Sequence, residues 1–344
     1  MKFNSLQFGK AMSAALFVLL LVAVGSKNAL AQTQVATLQH NDSISGVFYG
    51  QNAFISAYNA SVDGDVITLS SGTFTQCDIS KSITLHGAGC VVDTATNVLP
   101  TIIPNEIKLL HSDVTIEGIY FTGTIACSYN GPNLNNMSFV KCNINEIHNG
   151  YGFHASIMTN FQFVNCIINT FESWNFRGTS IINCAVRYAE YDHRDSFNPT
   201  NIYNSVILFD NELTINNLVA YNSIIATISG HEISNCTFFN SIGIETGETL
   251  LFEGQTVQNV MEVDSYDDVF ETFDGTISYD NIYQLKNDIA TSFLGHDGTE
   301  VGIYGGIYPY SPRLLYMIMR RCNVAGRTTV DDKLSVEIEL NIDE

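Results

Sequence analysis

Residues 181–186 read Ile-Ile-Asn-Cys-Ala-Val, and the same shape recurs on both sides of them. Before it stand Phe139-Val140-Lys141-Cys142-Asn143-Ile144 and Phe163-Val164-Asn165-Cys166-Ile167-Ile168. After it stand Ile202-Tyr203-Asn204-Ser205-Val206-Ile207, Ala220-Tyr221-Asn222-Ser223-Ile224-Ile225 and Ile233-Ser234-Asn235-Cys236-Thr237-Phe238. The common pattern is apolar-x-Asn-(Cys/Ser)-x-apolar, and the small residues are separated by 24, 18, 21, 18 and 13 positions. An earlier segment, Ile116-Glu117-Gly118-Ile119-Tyr120-Phe121, fits loosely, with Gly118 in the small position if the Asn is ignored. The final step of 13 is short for a complete turn of chain and leaves the register between Ser223 and Cys236 open.

The pattern has a physical content. Two steps separate the small residue from the last apolar one, so both face the same side of a strand. Three steps separate the first apolar residue from the small one, which breaks the alternation, and the chain must bend. Asn stands at that bend because it tolerates the left-handed conformation that a tight corner demands. Stacked corners would set Asn above Asn, with amides hydrogen-bonding along the stack. The next residue lies inside a narrow corner, so Cys142, Cys166 and Cys184 read as small buried hydrophobes, reduced and in one column with Ser205 and Ser223. Strands of a sandwich pair through tight hairpins and would not repeat such a corner. The expected fold is all-β, a right-handed parallel β-helix in which coils share one long core.

The entrance to this solenoid is also legible. Ala53 to Val62 carries a helical stripe of Phe54, Ala57, Tyr58 and Val62, ended by Asp63-Gly64-Asp65. A short helix here would cap the open end of the first coil. Val66-Ile67-Thr68-Leu69, Gly72-Thr73-Phe74 and Ser82-Ile83-Thr84-Leu85-His86-Gly87 then read as the first strands and turns. Helix, Gly-Asp-x-Ile-x-Leu-x-x-Gly-Thr-Phe, Ser-Ile-Thr-Leu-x-Gly and Asn-Cys coils together resemble the pectin-lyase-like superfamily of right-handed parallel β-helix proteins, over roughly residues 46 to 245. That resemblance implies the fold. It leaves the activity open among polysaccharide lyases, glycoside hydrolases, adhesins and other exported proteins.

Lys2 and Lys10 precede an apolar run from Ala11 to Gly25, and Ala29-Leu30-Ala31 supplies a small-x-small cleavage pattern. Residues 1–31 therefore read as a signal peptide, which implies a secreted, periplasmic or cell-surface protein. No later stretch is apolar for the roughly 20 residues that a membrane span requires. Removing the leader takes three Lys and no acid from a formal charge of −20 and leaves −23. Such a surface disfavours nucleic acid, which is bound through basic patches. Charged residues are only 15% of the chain, against a usual ~25%. Residues 32–245 are expected to hold the cap and β-helix, and residues 246–344 further coils and a terminal strand continuous with it.

Within that last part, Val263 to Thr276 is acidic, with Asp264, Asp267, Asp268, Glu271 and Asp274. Calcium is the cofactor such a stretch suggests, but the spacing is not that of an EF-hand loop, and a solvated acidic face is expected instead. Gly295 to Gly306 reads as structural turns, and with Tyr308-Pro309-Tyr310 it resembles the tail that follows β-helices in exported proteins of Bacteroidetes. Lys333 to Ile342 alternates as a half-buried final strand.

Chemistry is expected on one flank. The long segments after successive corner strands offer Trp174, the single tryptophan, with Arg177, and then Tyr191, Asp192, Arg194 and Asp195. Rings pack on the C–H faces of sugars and acids accept their hydroxyl protons, so Trp174, Arg177 and Tyr191 form the expected glycan-binding set. If the protein is an enzyme, Arg194, Asp192 and Asp195 are the expected catalytic residues. Arg194 would serve a lyase of the kind the resemblance implies, and the two acids a paired-carboxylate hydrolase. No metal-ligand spacing is present, and no metal or other cofactor is expected. The acidic charge and the scarcity of Arg and Lys favour a non-catalytic protein that binds a polysaccharide or surface glycan. A lyase or glycoside hydrolase is the alternative.

Overall fold

The computed structural model describes residues 34–93, 97–127, 131–148, 156–172, 176–188, 200–209, 214–227, 232–245, 251–312, 317–324 and 336–342. It is a right-handed parallel β-solenoid of about 8 turns with one short helix near its N-terminus. A column of apolar residues, one per coil, runs through the interior: Ile67, Leu85, Ile116, Phe139, Phe163, Ile181, Ile202, Ala220 and Phe238 are register partners in succession. All are buried. A second column, Ile103, Phe121, Ile144, Ile168, Val186, Ile207 and Ile225, lines the next strand of each coil.

From Ile116 onward, two left-handed corners five residues apart frame the strands of the first column wherever both corners are described. One series is Asp113, Asn136, Asn160, Gly178, Asn217, Asn235 and Gly254; the other is Gly118, Lys141, Asn165, Asn183, Asn204, Asn222, Asn240 and Asn259. This resolves both irregularities of the repeat. Gly118 takes the Asn position and not the small one, and the buried Ile119 follows it. The segment around Cys236 belongs to the first series, since Leu218 and Cys236 both precede the paired residues Val219 and Thr237. The true successor of Ser223 is Ser241, because Ile224 pairs with Ile242. The step is then 18 residues, and the apparent 13 falls short by the distance between the two corners.

The small column is more than a matter of size. Asn165 N–H donates to Ile182 O in the following coil, whereas Ile167 N–H donates to Cys142 O in the preceding one. The corner inserts one extra residue between them, and its N–H has no ladder carbonyl. The side chain of the next coil fills the gap: Cys166 N–H donates to Cys184 Sγ (3.2 Å), Cys184 N–H to Ser205 Oγ (3.1 Å), Ser205 N–H to Ser223 Oγ (3.2 Å) and Ser223 N–H to Ser241 Oγ (3.3 Å). Each of these groups donates in turn to the carbonyl two residues before it. Cys142, Cys166 and Cys184 are buried in the core as expected, and at Cys184, Ser205, Ser223 and Ser241 the small group also both accepts and donates. Cys77, Cys90, Cys127, Cys142, Cys166, Cys184 and Cys236 form no disulfide.

The helix, α1 (Ala53–Ala60), buries Ala53, Phe54, Ala57 and Tyr58. Val62 lies beyond its C-cap at Ser61 and is exposed, so it is not part of the stripe. Strand β1 (Val35–His40) runs antiparallel to Val66–Leu69 and to β2 (Ser43–Tyr49), and closes the N-terminal end. At the other end the solenoid continues past residue 245 through Thr256–Val263, which pairs in parallel with Thr237–Glu245. The chain then turns back. Val269, Phe270, Phe273, Ile277, Tyr283, Leu285, Val301 and Ile303 cover the outer faces of Ile167, Ala185, Val206, Leu208, Ile224, Ala226, Ile242 and Ile244. Strands there are buried on both faces, as in Val206–Phe209 and Ile224–Thr227. The acids Asp264, Asp267, Asp268, Glu271 and Asp274 stay exposed on the outside of this layer.

The returning segment is fastened at the second corner series. His296 N–H donates to Asn222 Oδ1 (2.9 Å), Asn183 Nδ2 donates to Ile303 O (3.0 Å) and Gly305 O (2.7 Å), and Ser311 N–H donates to Asn165 Oδ1 (2.9 Å). Residues 296 to 311 thus travel from the Asn222 coil to the Asn165 coil, against the direction of winding. Amide bonds along the stack run from Asn136 Nδ2 to Asp113 Oδ1 and from Asn160 Nδ2 to Asn136 Oδ1 in the first series, and from Asn259 Nδ2 to Asn240 Oδ1 in the second. The backbones of Met317–Val324 and Val336–Ile342 form a separate antiparallel pair, and the second is the expected final strand. Among the described residues no helix is long and apolar enough to cross a membrane.

Candidate functional site

Of the flank residues, Trp174, Tyr191, Asp192, Arg194 and Asp195 lie outside the described residues. What the structure does give is the edge from which their segments leave. Ile147, Phe171, Tyr188, Phe209, Thr227 and Glu245 stand in register near the ends of successive strands. Arg177 is exposed on Phe176–Arg177, opposite Thr159 and one residue before the corner at Gly178. It belongs to the strand that precedes the first corner, on a different side of the coil from that edge.

The described residues build a polar cleft elsewhere. Inside the strands that follow the second corner, the inner column alternates with an outward row. That row is apolar in the later coils, at Leu208, Ala226 and Ile244, and polar in the earlier ones, at Arg187, Asn169 and Asn145. The returning segment covers the apolar part. Where the row becomes polar, its wall at Gly275, Thr276 and Ile277 stands off and leaves a cleft of about 530 Å³ lined by Asn145, Asn169, Thr170, Arg187 and Leu208.

Local chemistry stiffens that wall. Gly275 has φ +88°, and a Cβ there would come within 2.7 Å of the Tyr266 ring, so only glycine fits. Asp274 Oδ1 accepts from Thr276 N–H (2.9 Å), Asn281 Nδ2 donates to Thr276 O, and the Tyr283 hydroxyl accepts from Ser278 N–H (3.0 Å) and donates to Ser278 O (2.9 Å). Ile277 is buried in the cluster behind it. On the opposite wall, Asn169 Oδ1 is buried and finds no hydrogen-bond partner among the described residues. Leaving such an acceptor unpaired costs about 1–3 kcal/mol.

The lining offers carboxamides, hydroxyls and one guanidinium beside the apolar flanks of Leu208 and Ile277. Among the described residues it contains no carboxylate, imidazole, thiol or amine. It can therefore hold a hydroxyl-rich ligand through neutral hydrogen bonds and one cation, but these residues hold no group that would exchange a proton near neutral pH.

A second cleft, of about 340 Å³, opens where Tyr279 of the returning segment reaches the first coils. Val92, Leu99, Pro100 and Ile102 line it, together with Tyr120 and Tyr279, whose rings meet edge to face at 5.5 Å. Burial, with Tyr279 and Asp280 nearby, raises the Tyr120 phenol above its ordinary value. Among the described residues no three His, Cys, Asp or Glu side chains gather as metal ligands would. Sequence reading missed the polar cleft because Gly275–Ile277 of one wall stand far along the chain from Asn145, Asn169, Thr170, Arg187 and Leu208 of the other. The available signal was the change along the outward row from Leu208 to Arg187 and Asn169. No family model, no curated protein and no solved structure matches this chain.

Proposed function

We propose that this is an exported, non-catalytic β-helix protein that binds a glycan of the cell surface or its surroundings in the cleft of Asn145, Asn169, Thr170, Arg187 and Thr276. The observation that carries the reading is the composition of that lining. Hydrogen-bonding groups of several successive coils stand about 4.8 Å apart, beside apolar surface and without an acid–base group. The leader pattern of residues 1–31 supports export. The capping helix followed by parallel coils with Asn corners supports kinship with the pectin-lyase-like superfamily, and Gly295–Tyr310 supports the tail of exported Bacteroidetes proteins.

The test is a panel of neutral and acidic polysaccharides, read both for binding and for new reducing or unsaturated ends. Binding without turnover is expected, weakened at least tenfold in Arg187→Ala and in Asn169→Ala at unchanged melting temperature. Unaltered binding by both variants would remove the cleft from the account. Turnover would instead favour the second reading, a polysaccharide lyase or glycoside hydrolase acting through Asp192, Arg194 and Asp195. What supports that reading is the in-register edge from which their segment departs. In that case Arg194→Ala should abolish turnover.

A further inference from the structure

We propose that the chain associates in pairs through its N-terminal end, with β2 of one copy pairing antiparallel to β2 of a second. Strand β2 pairs with β1, and β1 is held on its other side by Val66–Leu69. Among the described residues no strand pairs with the outer edge of β2. Open edges are usually guarded by charge, by Pro or by a covering element. Ser43–Tyr49 has neither charge nor Pro, and it exposes Ile44 (65%), Val47 (43%) and Tyr49 (71%). A register shift near Ser45 leaves Gly46 to Tyr49 as the regular stretch. The opposite edge of the solenoid, Thr256–Val263, does carry guards, with Glu262 inside the strand and Glu253 and Asp264 beside it.

The charge distribution names the occupant. The chain has a formal charge of −20, yet residues 34–62 contain one acid, Asp42, and no Lys or Arg. Two copies repel one another over most of their surfaces and can approach closely at this end. Helix α1, which packs beside the hairpin, adds to the fit: its exposed residues Ser56, Asn59 and Ala60 are small and uncharged. A strand that meets its own copy antiparallel does so about a two-fold axis, so the contact closes at two chains and does not propagate. The inference rests on the export reading, because cleavage after Ala31 leaves only Gln32 and Thr33 ahead of residue 34.

The experiment is sedimentation velocity with light scattering on the secreted protein, on the chain begun at Gln32, and on two variants of it. A dimer is expected for both wild-type preparations at tens of micromolar. Val47→Lys with Tyr49→Lys should raise the dissociation constant at least tenfold at an unchanged melting temperature. Val257→Lys, on the exposed face of the guarded edge, should leave it unaltered. A monomeric wild-type chain begun at Gln32 would overturn the proposal, as would a dimer that survives the double substitution or is broken by Val257→Lys. A secreted protein that retains residues 1–31 would overturn the cleavage reading instead, and the chain begun at Gln32 would still decide the edge.

Discussion

Ser205 donates its backbone N–H to the hydroxyl oxygen of Ser223 in the following coil, at 3.2 Å, while that hydroxyl donates to Tyr221 O at 2.8 Å. The side chain of one coil thus completes the backbone of its neighbour. Ser223→Ala should orphan a buried N–H and lower the unfolding free energy by about 1–3 kcal/mol. Ser223→Cys, which reproduces the pairing seen at Cys184, should lose less than half as much. Urea titration of the three proteins distinguishes this role from simple space-filling, in which Ala would be the mildest change.

Lys141 occupies a left-handed corner at φ +50°, where the equivalent positions carry Asn or Gly. That conformation costs ordinary L-residues about 1–2 kcal/mol. Lys141→Asn should therefore raise stability by about 1 kcal/mol, read as a higher denaturation midpoint at unchanged slope. A loss would show that the half-buried lysine stem contributes more than its backbone costs.

Asn183 is buried and ties Ile303 and Gly305 to the solenoid through its amide hydrogens. Asn183→Ala should release the returning segment locally, at a cost of about 1–3 kcal/mol. Hydrogen exchange should accelerate in residues 295–311 while the inner strands keep their protection. Uniform acceleration throughout the chain would mean that the corner, and not the tail, depends on this side chain.

Two carboxylates link stability to pH. The hydrogen bond with His86 at 2.9 Å holds Glu117 below its ordinary value, against the opposing effect of burial. Burial would raise Asp65, but the Val62 N–H and His40 together outweigh it and keep it low. A lowered folded pKa adds stability that is complete above the unfolded value and is lost as pH falls through the folded one. Stability should therefore decline as the solution is acidified below the ordinary carboxylate range, and Glu117→Gln should flatten part of that slope. A profile identical to wild type would exclude the His86 contact as a contributor.

Thiol chemistry tests the corner column directly. Burial and the neighbouring Asp78 push the half-buried Cys77 up to about 12, so Cys77 should react slowly with alkylating reagents in the native protein at pH 8. After denaturation without reductant, Cys142, Cys166 and Cys184 should all alkylate. Disulfide-linked peptides joining any two of them would refute the hydrogen-bonded column.

The coil architecture was legible because each corner is a local event: an Asn able to turn left-handed, then a small group. The same locality misled at Cys236: the first corner is usually followed by a larger residue, such as Met137, Phe161 or Leu218, but Asn235 is followed by Cys236, just as the second corner would be. Only pairing with neighbouring coils tells them apart. The returning layer announced itself faintly in runs such as Val206-Ile207-Leu208-Phe209, apolar on both faces, which suits a strand covered on both sides. What covers them could not be read there, because Phe270 and Phe273 carry no mark of their destination. The cleft was invisible for the same reason, as Thr276 meets Asn169 only after the chain has reversed.

That reversal gives the order of synthesis a meaning. A solenoid can assemble as it emerges from the ribosome or a translocation pore, each coil templated by the one before. Here the outer faces of Ile167, Ala185, Val206 and Ile224 must wait for residues 269–303, and Asn165 for Ser311, a separation of 146 positions. Until then the nascent chain displays a long greasy stripe and depends on holding factors or speed. Once the end arrives, the contacts it makes with several coils at once bind them into one unfolding unit, and a stop codon before residue 296 should yield a protein that aggregates although most of its coils are intact.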